Sequence, residues 1–303
     1  ILGTLAIGGE ISYNKNENTI QKRIRGIYKG FYPILDFELS IGERNIGYGP
    51  FSQKIENRNE IRILSINRPP VNAINIQIVS DLLKCLSDAK KDKQVSGVIL
   101  TGLEGYFSAG LDVIELFPLM KDEIRTFWNE FYKLLQLIYT FPKPLFSALS
   151  GHSPAGGTVM AIMTDYRLMA SGDFSIGLNE VSVGLVIPNS IAEIFSSLIG
   201  RRNAELMALN GSLISPDQAL KLHLIDEICP QNQLIDRSVE KMTSWLDLPT
   251  QQQMMTKMEF RKPIIERMKL NMKTELDQLQ NIWFSKGFQT AMGRLVADLT
   301  KGR

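Results

Sequence analysis

From about residue 60 onward, apolar residues follow two alternating patterns. Short unbroken apolar runs, at residues 98–100 and 145–149, are typical of buried strands. Between them, residues 76–86 and 124–138 carry apolar side chains at helical spacing. Strands and helices that alternate in this way predict an α/β domain with a buried sheet, built from repeated strand-strand-helix units.

The pattern differs on either side of this region. Residues 1–59 are rich in asparagine and show no sustained periodicity, which predicts an irregular N-terminal extension and a candidate partner-binding segment. Strand signals disappear after about residue 189, so we predict an α/β core over 60–200 and a helical C-terminal, oligomerisation region over 201–303. Pro216 is expected to start a helix there, and Pro263 to interrupt one.

Composition excludes several classes of function. The 34 basic and 32 acidic side chains give a net charge of +2, too little for a nucleic-acid phosphate footprint. The chain's 2 cysteines and 2 histidines lack the number and spacing of a zinc site, so no metal is expected. Cys85 and Cys229 are predicted to be buried reduced thiols, and no apolar run has the ~20 residues that a membrane-spanning helix needs.

Two glycine-containing turns are candidate binding elements. Residues 107–112 follow one predicted strand, and residues 151–157 follow another and lead into a short helix. Each turn can leave backbone N–H groups unpaired, and two such donors that converge on one point form an oxyanion hole. Taken singly, each segment also fits an ordinary turn with glycine at positive φ.

Glu180 is the candidate general base. It comes after a short apolar strand segment and before residues 181–188, which carry no charged side chain. Apolar surroundings disfavour the charged form of a carboxylate and raise its pKa, which suits a group that takes a proton and returns it. A solvated glutamate at the end of a strand is the alternative interpretation.

These segments together resemble the crotonase (enoyl-CoA hydratase/isomerase) superfamily, and more narrowly its mitochondrial Δ3,Δ2-enoyl-CoA isomerases. The resemblance is carried by residues 107–112, 153–157, 165–167 and 176–180, in this order and at these separations, and extends from about Glu60 to the C-terminus. It implies a crotonase (ClpP-like) fold of repeated ββα units with a helical C-terminal layer.

The resemblance also implies roles for particular residues. The backbone N–H groups of Leu111 and Gly156 would bind the thioester oxygen of an acyl-CoA, and the carbonyl of Ala109 would meet the adenine. Glu180 would be the catalytic carboxylate, and Lys286 is a candidate contact for the CoA phosphates. The basic residues Lys257, Arg261 and Lys262 are weaker candidates of the same kind, for which a solvated helix face is the alternative.

The position of a second catalytic glutamate in hydratases of the superfamily corresponds here to Val159, which cannot activate water. The resemblance therefore favours an isomerase over a hydratase, with no cofactor beyond the coenzyme A of the substrate. It also implies a homotrimer or hexamer in the mitochondrial matrix. A structural subunit of a larger mitochondrial complex, bound through residues 1–59, is the alternative from another functional class.

Overall fold

The computed structural model describes residues 8–14, 19–25, 47–48 and 53–301, with side-chain surroundings from Lys54 onward. The chain divides into two compact units, Ile1–Ile46 and Gly47–Arg303. In the first unit, β1 (Gly8–Asn14) pairs antiparallel with β2 (Thr19–Arg25). Most of the predicted partner-binding segment lies outside the described residues.

The second unit contains the elements that build the site. Its described strands are β3 (Gly47–Tyr48), β4 (Gln53–Arg58), β5 (Ile61–Ile66), β6 (Gly97–Thr101), β7 (Gly105–Tyr106), β8 (Leu145–Leu149), β9 (Gly151–Pro154), β10 (Tyr166–Ala170), β11 (Ile176–Gly177) and β12 (Glu227–Cys229). Its described helices are α1 (Ile76–Lys91), α2 (Val113–Leu116), α3 (Lys121–Tyr139), α4 (Gly156–Ile162), α5 (Asn189–Ile199), α6 (Arg201–Asn210), α7 (Pro216–Lys221), α8 (Leu234–Leu246), α9 (Thr250–Trp283) and α10 (Lys286–Lys301). Short 3-10 turns occupy Glu180–Val183 and Gln231–Gln233.

The larger sheet has the strand order β12-β10-β8-β6-β5-β4-β3. Neighbours from β12 to β5 are parallel, whereas β4 and β3 are antiparallel additions at one edge. A small parallel sheet with the strand order β11-β9-β7 lies next to the two glycine-containing turns. This α/β architecture confirms the predicted fold class.

Both faces of the larger sheet are covered, which explains the unbroken apolar runs in its strands. In β6, Val98 and Leu100 belong to the larger apolar core, whereas Ile99 belongs to a second core on the opposite face that includes Met242 of α8. Cys85 and Cys229 are free and buried, as predicted. Among the described helices, none combines the length and apolarity needed to cross a membrane.

Two features of the domain organisation differ from the sequence predictions. The compact unit begins before residue 60, because β4 pairs with β5 along its whole length and completes the edge of the sheet. The helical C-terminal region also contributes a strand, β12, which pairs with β10. The three-residue length of β12 gives it too little periodicity to be detected in the sequence.

The prediction that Pro263 interrupts a helix is wrong. Pro263 lies inside α9, which runs for 34 residues. A proline in a helix interior removes a backbone hydrogen bond and costs about 3 kcal/mol. Contacts on both sides of it offset this loss, since Ile265 and Met268 are buried in the core and Arg261 bonds to the carbonyl of Tyr139.

Candidate active site

A cavity of about 710 Å³ brings most of the predicted site residues together. Ala109, Leu111, Gly156 and Glu180 all line it, although they come from three separate parts of the chain. The rest of the wall is mainly apolar and comes from segments 68–73 and 179–188 and from α2, α3, α4, α5, α9 and α10. The predicted convergence of the two glycine turns and Glu180 is thus present in the structure.

The first turn is held by strand-like pairing with Ile74. The N–H of Ile74 donates to the carbonyl of Gly110 at 2.7 Å, and the N–H of Asp112 donates to the carbonyl of Ile74 at 2.8 Å. Because alternate N–H groups of an extended segment point in opposite directions, that of Leu111 points away from Ile74. Gly110 adopts φ +86°, a conformation open to glycine but unfavourable for other residues.

The second turn lies against the first. A methyl group at Gly110 would be 3.3 Å from the Cβ of Ala155 and 3.4 Å from the nitrogen of Gly156. Ala155 itself has φ 46° and ψ −117°, a strained conformation for a residue with a side chain. This turn directs the chain from β9 into α4, and Gly156 is the first residue of that helix.

The N–H groups of Leu111 and Gly156 remain available to a ligand. No described residue accepts a hydrogen bond from either of them. Both residues line the same cavity, and their turns are in van der Waals contact. Two unpaired backbone donors on the wall of one cavity are what the predicted oxyanion hole requires.

Thr158 connects the second turn to the segment that carries Glu180. Its hydroxyl accepts a hydrogen bond from the N–H of Gly177 at 2.8 Å and lies 2.5 Å from the carbonyl of Ser153. The N–H of Ala155 donates to the carbonyl of Gly177 at 2.9 Å. These contacts join β9, β11 and α4, and so fix the position from which Glu180 enters the cavity.

Glu180 has an environment suited to proton transfer. It begins the 3-10 turn after β11, and its neighbours on the cavity wall include Val183 and Leu185. Its Oε2 atom is buried and has no hydrogen-bond partner among the described residues. Burial raises the pKa of Glu180 to about 7, and a hydrogen bond from its own backbone N–H only partly offsets this rise. Near neutral pH, the carboxyl group can therefore both accept and release a proton.

The other acidic residues that line the cavity are paired. Arg68 lies 2.6 Å from an oxygen of Asp112 and 2.5 Å from an oxygen of Glu115. Asp112 also caps α2, and Glu115 accepts a hydrogen bond from Asn75. Of the carboxylates on the described cavity wall, Glu180 alone lacks a cationic partner.

Val159 also lines the cavity and is almost fully buried. Its position on α4, one turn beyond Gly156, faces the space next to the candidate oxyanion hole. An isopropyl group cannot take a proton from water or hold a water molecule by hydrogen bonds. The wall near α4 therefore supplies no second acid or base.

The candidate contacts for CoA phosphates lie away from this cavity. Lys286 is the exposed first residue of α10 and is not among the described residues of the cavity wall. Lys257 and Arg261 instead point into the protein, where both pair with Asp165. Burial lowers the pKa of Lys257 to about 8, against the opposing effect of Asp165. Lys262 is exposed.

His152 is not on the described cavity wall and has a packing role. Its Nδ1 atom is 3.0 Å from the hydroxyl of Ser175 and accepts a hydrogen bond from the N–H of Ser175 at 3.2 Å. The ring also lies beside Tyr106 and Phe174. These contacts join β7 and β9 to the segment that precedes β11.

Four residues of α3 form one side of the cavity: Trp128, Phe131, Tyr132 and Leu135. Trp128 and Phe131 also belong to the buried apolar core. Tyr132, which sequence reasoning missed, bonds to Glu275 and Ser190. The helical spacing of these four residues is visible in the sequence, whereas the cavity that they border is not.

Known proteins resemble this chain in sequence and in fold. A sequence profile of the family described as "Enoyl-CoA hydratase/isomerase" matches residues 56–296. The mouse protein "Enoyl-CoA delta isomerase 1, mitochondrial" is 35% identical over 204 residues, covering 67% of this chain and 71% of that protein. A "Probable enoyl-CoA hydratase" of Mycobacterium avium is 28% identical over 190 residues, covering 62% of this chain and 73% of that protein.

Among solved structures, the crystal structure of human mitochondrial delta3-delta2-enoyl-CoA isomerase superposes with a TM-score of 0.80 at 26% identity. The match covers 84% of this chain and all (100%) of the human chain. The profile match, the mouse relative and the shared fold lead to the same conclusion: the chain belongs to the enoyl-CoA hydratase/isomerase (crotonase) family.

Proposed function

We propose that this protein is a Δ3,Δ2-enoyl-CoA isomerase, which converts a 3-enoyl-CoA into the 2-trans-enoyl-CoA. The observation that carries this proposal is the single unpaired carboxylate of the cavity, Glu180, in a wall where α4 presents Val159. An isomerase needs one group that takes a proton and returns it elsewhere on the same substrate. Hydration needs a further group to activate and hold water.

In the proposed reaction, the thioester oxygen lies between the N–H groups of Leu111 and Gly156. These donors make the C2 proton more acidic, because they stabilise the negative charge that develops on the oxygen. Glu180 takes the C2 proton, and the electron pair of the broken C–H bond spreads over a dienolate. The protonated Glu180 then delivers the proton to C4, so the double bond moves from C3–C4 to C2–C3.

The balance of this reaction is simple. One C–H bond breaks and one forms, and the substrate and product are isomers of equal oxidation state. The reaction as proposed therefore uses no metal and no redox cofactor. Removal of one oxyanion donor in a comparable site reduces the rate by about 100- to 1,000-fold, so the two N–H groups are a large part of the proposed catalysis.

The names of the mammalian relatives support a mitochondrial location, which we propose for this chain on the matrix side. We likewise propose a homotrimer or hexamer, as expected from the family resemblance. The exposed apolar residues Leu206, Leu209 and Leu213 of α6 and the loop after it offer surface for such contacts. Sedimentation of the purified protein distinguishes the mass of a monomer from that of a trimer or hexamer.

A side-by-side assay tests the function. Purified protein is given 3-hexenoyl-CoA in one reaction and crotonyl-CoA in another, and formation of 2-hexenoyl-CoA and of 3-hydroxybutyryl-CoA is measured. We expect isomerisation of the first substrate and little hydration of the second. Hydration as the faster reaction would contradict the proposal and assign the chain to the hydratases, which are also found among its relatives.

A further inference from the structure

The cavity has a charged, solvent-accessible side and a closed apolar side. The side chains of Arg68 and Glu115 are 27% and 50% exposed. The residues contributed by α3 are all nearly buried, with Tyr132 at 2% and Leu135 at 1% exposure. An acyl-CoA has one polyanionic end and one apolar end, so its acyl chain would enter the closed side, along α3.

Tyr132 differs from its neighbours on this wall because its position is fixed by hydrogen bonds. Its hydroxyl donates to Oε2 of Glu275, and the hydroxyl of Ser190 lies 2.9 Å from the same oxygen. The other oxygen of Glu275 accepts from the N–H of Ser190 at 3.1 Å. The side chains of Trp128, Phe131 and Leu135 have no hydrogen-bond partner among the described residues.

Glu275 lies behind Tyr132 and is itself buried, with 5% exposure. Its side chain bonds to Tyr132 and to Ser190, at the start of α5, and no described lysine or arginine forms an ion pair with it. A carboxylate that is buried with few hydrogen-bond partners would be strongly destabilised by direct contact with an apolar acyl chain. The tyrosine ring thus separates the apolar cavity from this carboxylate and ties together α3, α5 and α9.

We propose that Tyr132 is a specificity-determining residue that limits the length of acyl chain the cavity accepts, and that Glu275 and Ser190 are its positioning residues. The proposal rests on the proposed function, because it assigns the closed side of the cavity to the acyl group of an enoyl-CoA. A chain that reaches the ring stops there, since the ring cannot swing aside without breaking its bonds to Glu275.

Substrate competition between chain lengths tests this proposal. The measured quantity is the ratio of kcat/KM for 3-dodecenoyl-CoA to kcat/KM for 3-hexenoyl-CoA. In Tyr132→Leu the ring is lost, and we expect the ratio to rise at least about tenfold, since single methylene groups change such ratios by about 10- to 200-fold. In Tyr132→Phe the ring stays but its anchor is lost, so we expect a smaller rise in the same direction.

Glu275 provides the test of positioning. Glu275→Leu removes the acceptor and should raise the ratio as Tyr132→Phe does. Glu275→Gln keeps an acceptor oxygen and should restore a ratio close to that of the wild type. A role in stability alone would lower both kcat/KM values together and leave their ratio unchanged.

Phe127→Leu is the matched control. Phe127 is a buried aromatic residue of the same helix that packs against Trp128 and Phe131 but is not itself on the described cavity wall, so its truncation weakens packing without removing a wall side chain. In Phe127→Leu, the ratio of the two kcat/KM values should remain within about twofold of the wild-type value. An unchanged ratio in Tyr132→Phe and, where it folds, in Tyr132→Leu would overturn the proposal.

A binding measurement separates this inference from the proposed reaction. Calorimetric titration with the saturated compounds hexanoyl-CoA and dodecanoyl-CoA gives a ratio of Kd values that does not depend on turnover. If the wild type isomerises no 3-enoyl-CoA, the proposed function fails. The effect of Tyr132→Leu on the Kd ratio still confirms or rejects the role of Tyr132.

Discussion

Two carboxylates in the core of this protein have opposite surroundings. Asp165 follows α4 and has 5% of its side chain exposed. It pairs with Lys257 at 2.8 Å and with Arg261 at 2.9 Å, and accepts a hydrogen bond from the N–H of Leu145. Glu180 borders the cavity, and its buried oxygen has no partner among the described residues. One carboxylate holds the fold together, whereas the other is left free to react.

The two carboxylates have separate roles: the ion pairs of Asp165 stabilise the fold, whereas Glu180 is suited to proton exchange. The carboxylate of Asp165 joins α9 to β8 through the N–H of Leu145. Lys257 and Arg261 also donate to the carbonyls of Phe141, just after α3, and Tyr139, at the end of α3. For Glu180, burial raises the pKa to about 7, so the proton can be exchanged with a substrate.

The largest expected effect comes from removing the reactive member of the pair. Glu180→Gln keeps the shape of the side chain but cannot accept a proton from C2. We expect kcat for 3-hexenoyl-CoA to fall by about 100- to 10,000-fold, the usual contribution of a general base. KM should change little, since the oxyanion donors and the cavity wall are unaltered. Stopped-flow or coupled absorbance measurements follow the product.

Glu205→Gln is the control for this prediction. Glu205 lies on α6, where it pairs with Arg202 and both side chains are largely exposed. Its replacement should leave kcat unchanged. Turnover by Glu180→Gln at the wild-type rate would show that another group performs the proton transfer.

The sequence predicted the apolar surroundings of Glu180 but not the ion pairs of Asp165. Glu180 follows a short strand and precedes an uncharged segment, and this local pattern indicates a raised pKa. The partners of Asp165 lie far along the chain; Lys257 is 92 residues away. The pattern of α9 suggested a solvated basic face, because a single sequence does not show which helix face meets a buried carboxylate.

The same limit applies to the fold. The unbroken runs of β6 and β8 were predictable because burial on both faces leaves a local signature. The continuity of α9 through Pro263 depends on tertiary contacts that propensity does not contain. The bond between Tyr132 and Glu275 joins residues 143 positions apart, and nothing in the sequence near either residue predicts the other.

The second prediction removes the structural member of the pair. Asp165→Asn keeps the size of the side chain but leaves the buried cations Lys257 and Arg261 without their counter-charge. We expect the free energy of unfolding at pH 7 to fall by about 3–5 kcal/mol, as when one partner of a buried ion pair is removed. Denaturation in urea, followed by circular dichroism, measures the change.

Asp298→Asn is the matched control, because Asp298 pairs with Lys301 where both side chains are more than two-thirds exposed at 71% and 76%. Exposed pairs contribute about 0–1 kcal/mol, so this variant should be nearly as stable as the wild type. Equal losses in the two variants would mean that burial of the Asp165 network does not govern its contribution.

The smallest expected effect is on the stability of Glu180→Gln, and it has the opposite sign. The pKa of Glu180 in the folded protein, about 7, lies above its ordinary value of 4.5, so the folded state binds this proton more tightly than the unfolded state. By linkage, Glu180 destabilises the wild type as pH rises from 4.5 through 7. At pH 8 the glutamine variant should therefore be more stable, by about 1–2 kcal/mol once screening by water in the open cavity is allowed for. The gain should shrink as pH falls and disappear below 4.5, where Glu180 is protonated in both states of the wild type. Urea denaturation of both proteins at several pH values measures the difference.

A variant that is less stable than the wild type at pH 8 would show that the Glu180 carboxylate is stabilised in the resting protein, and the contrast with Asp165 would not hold.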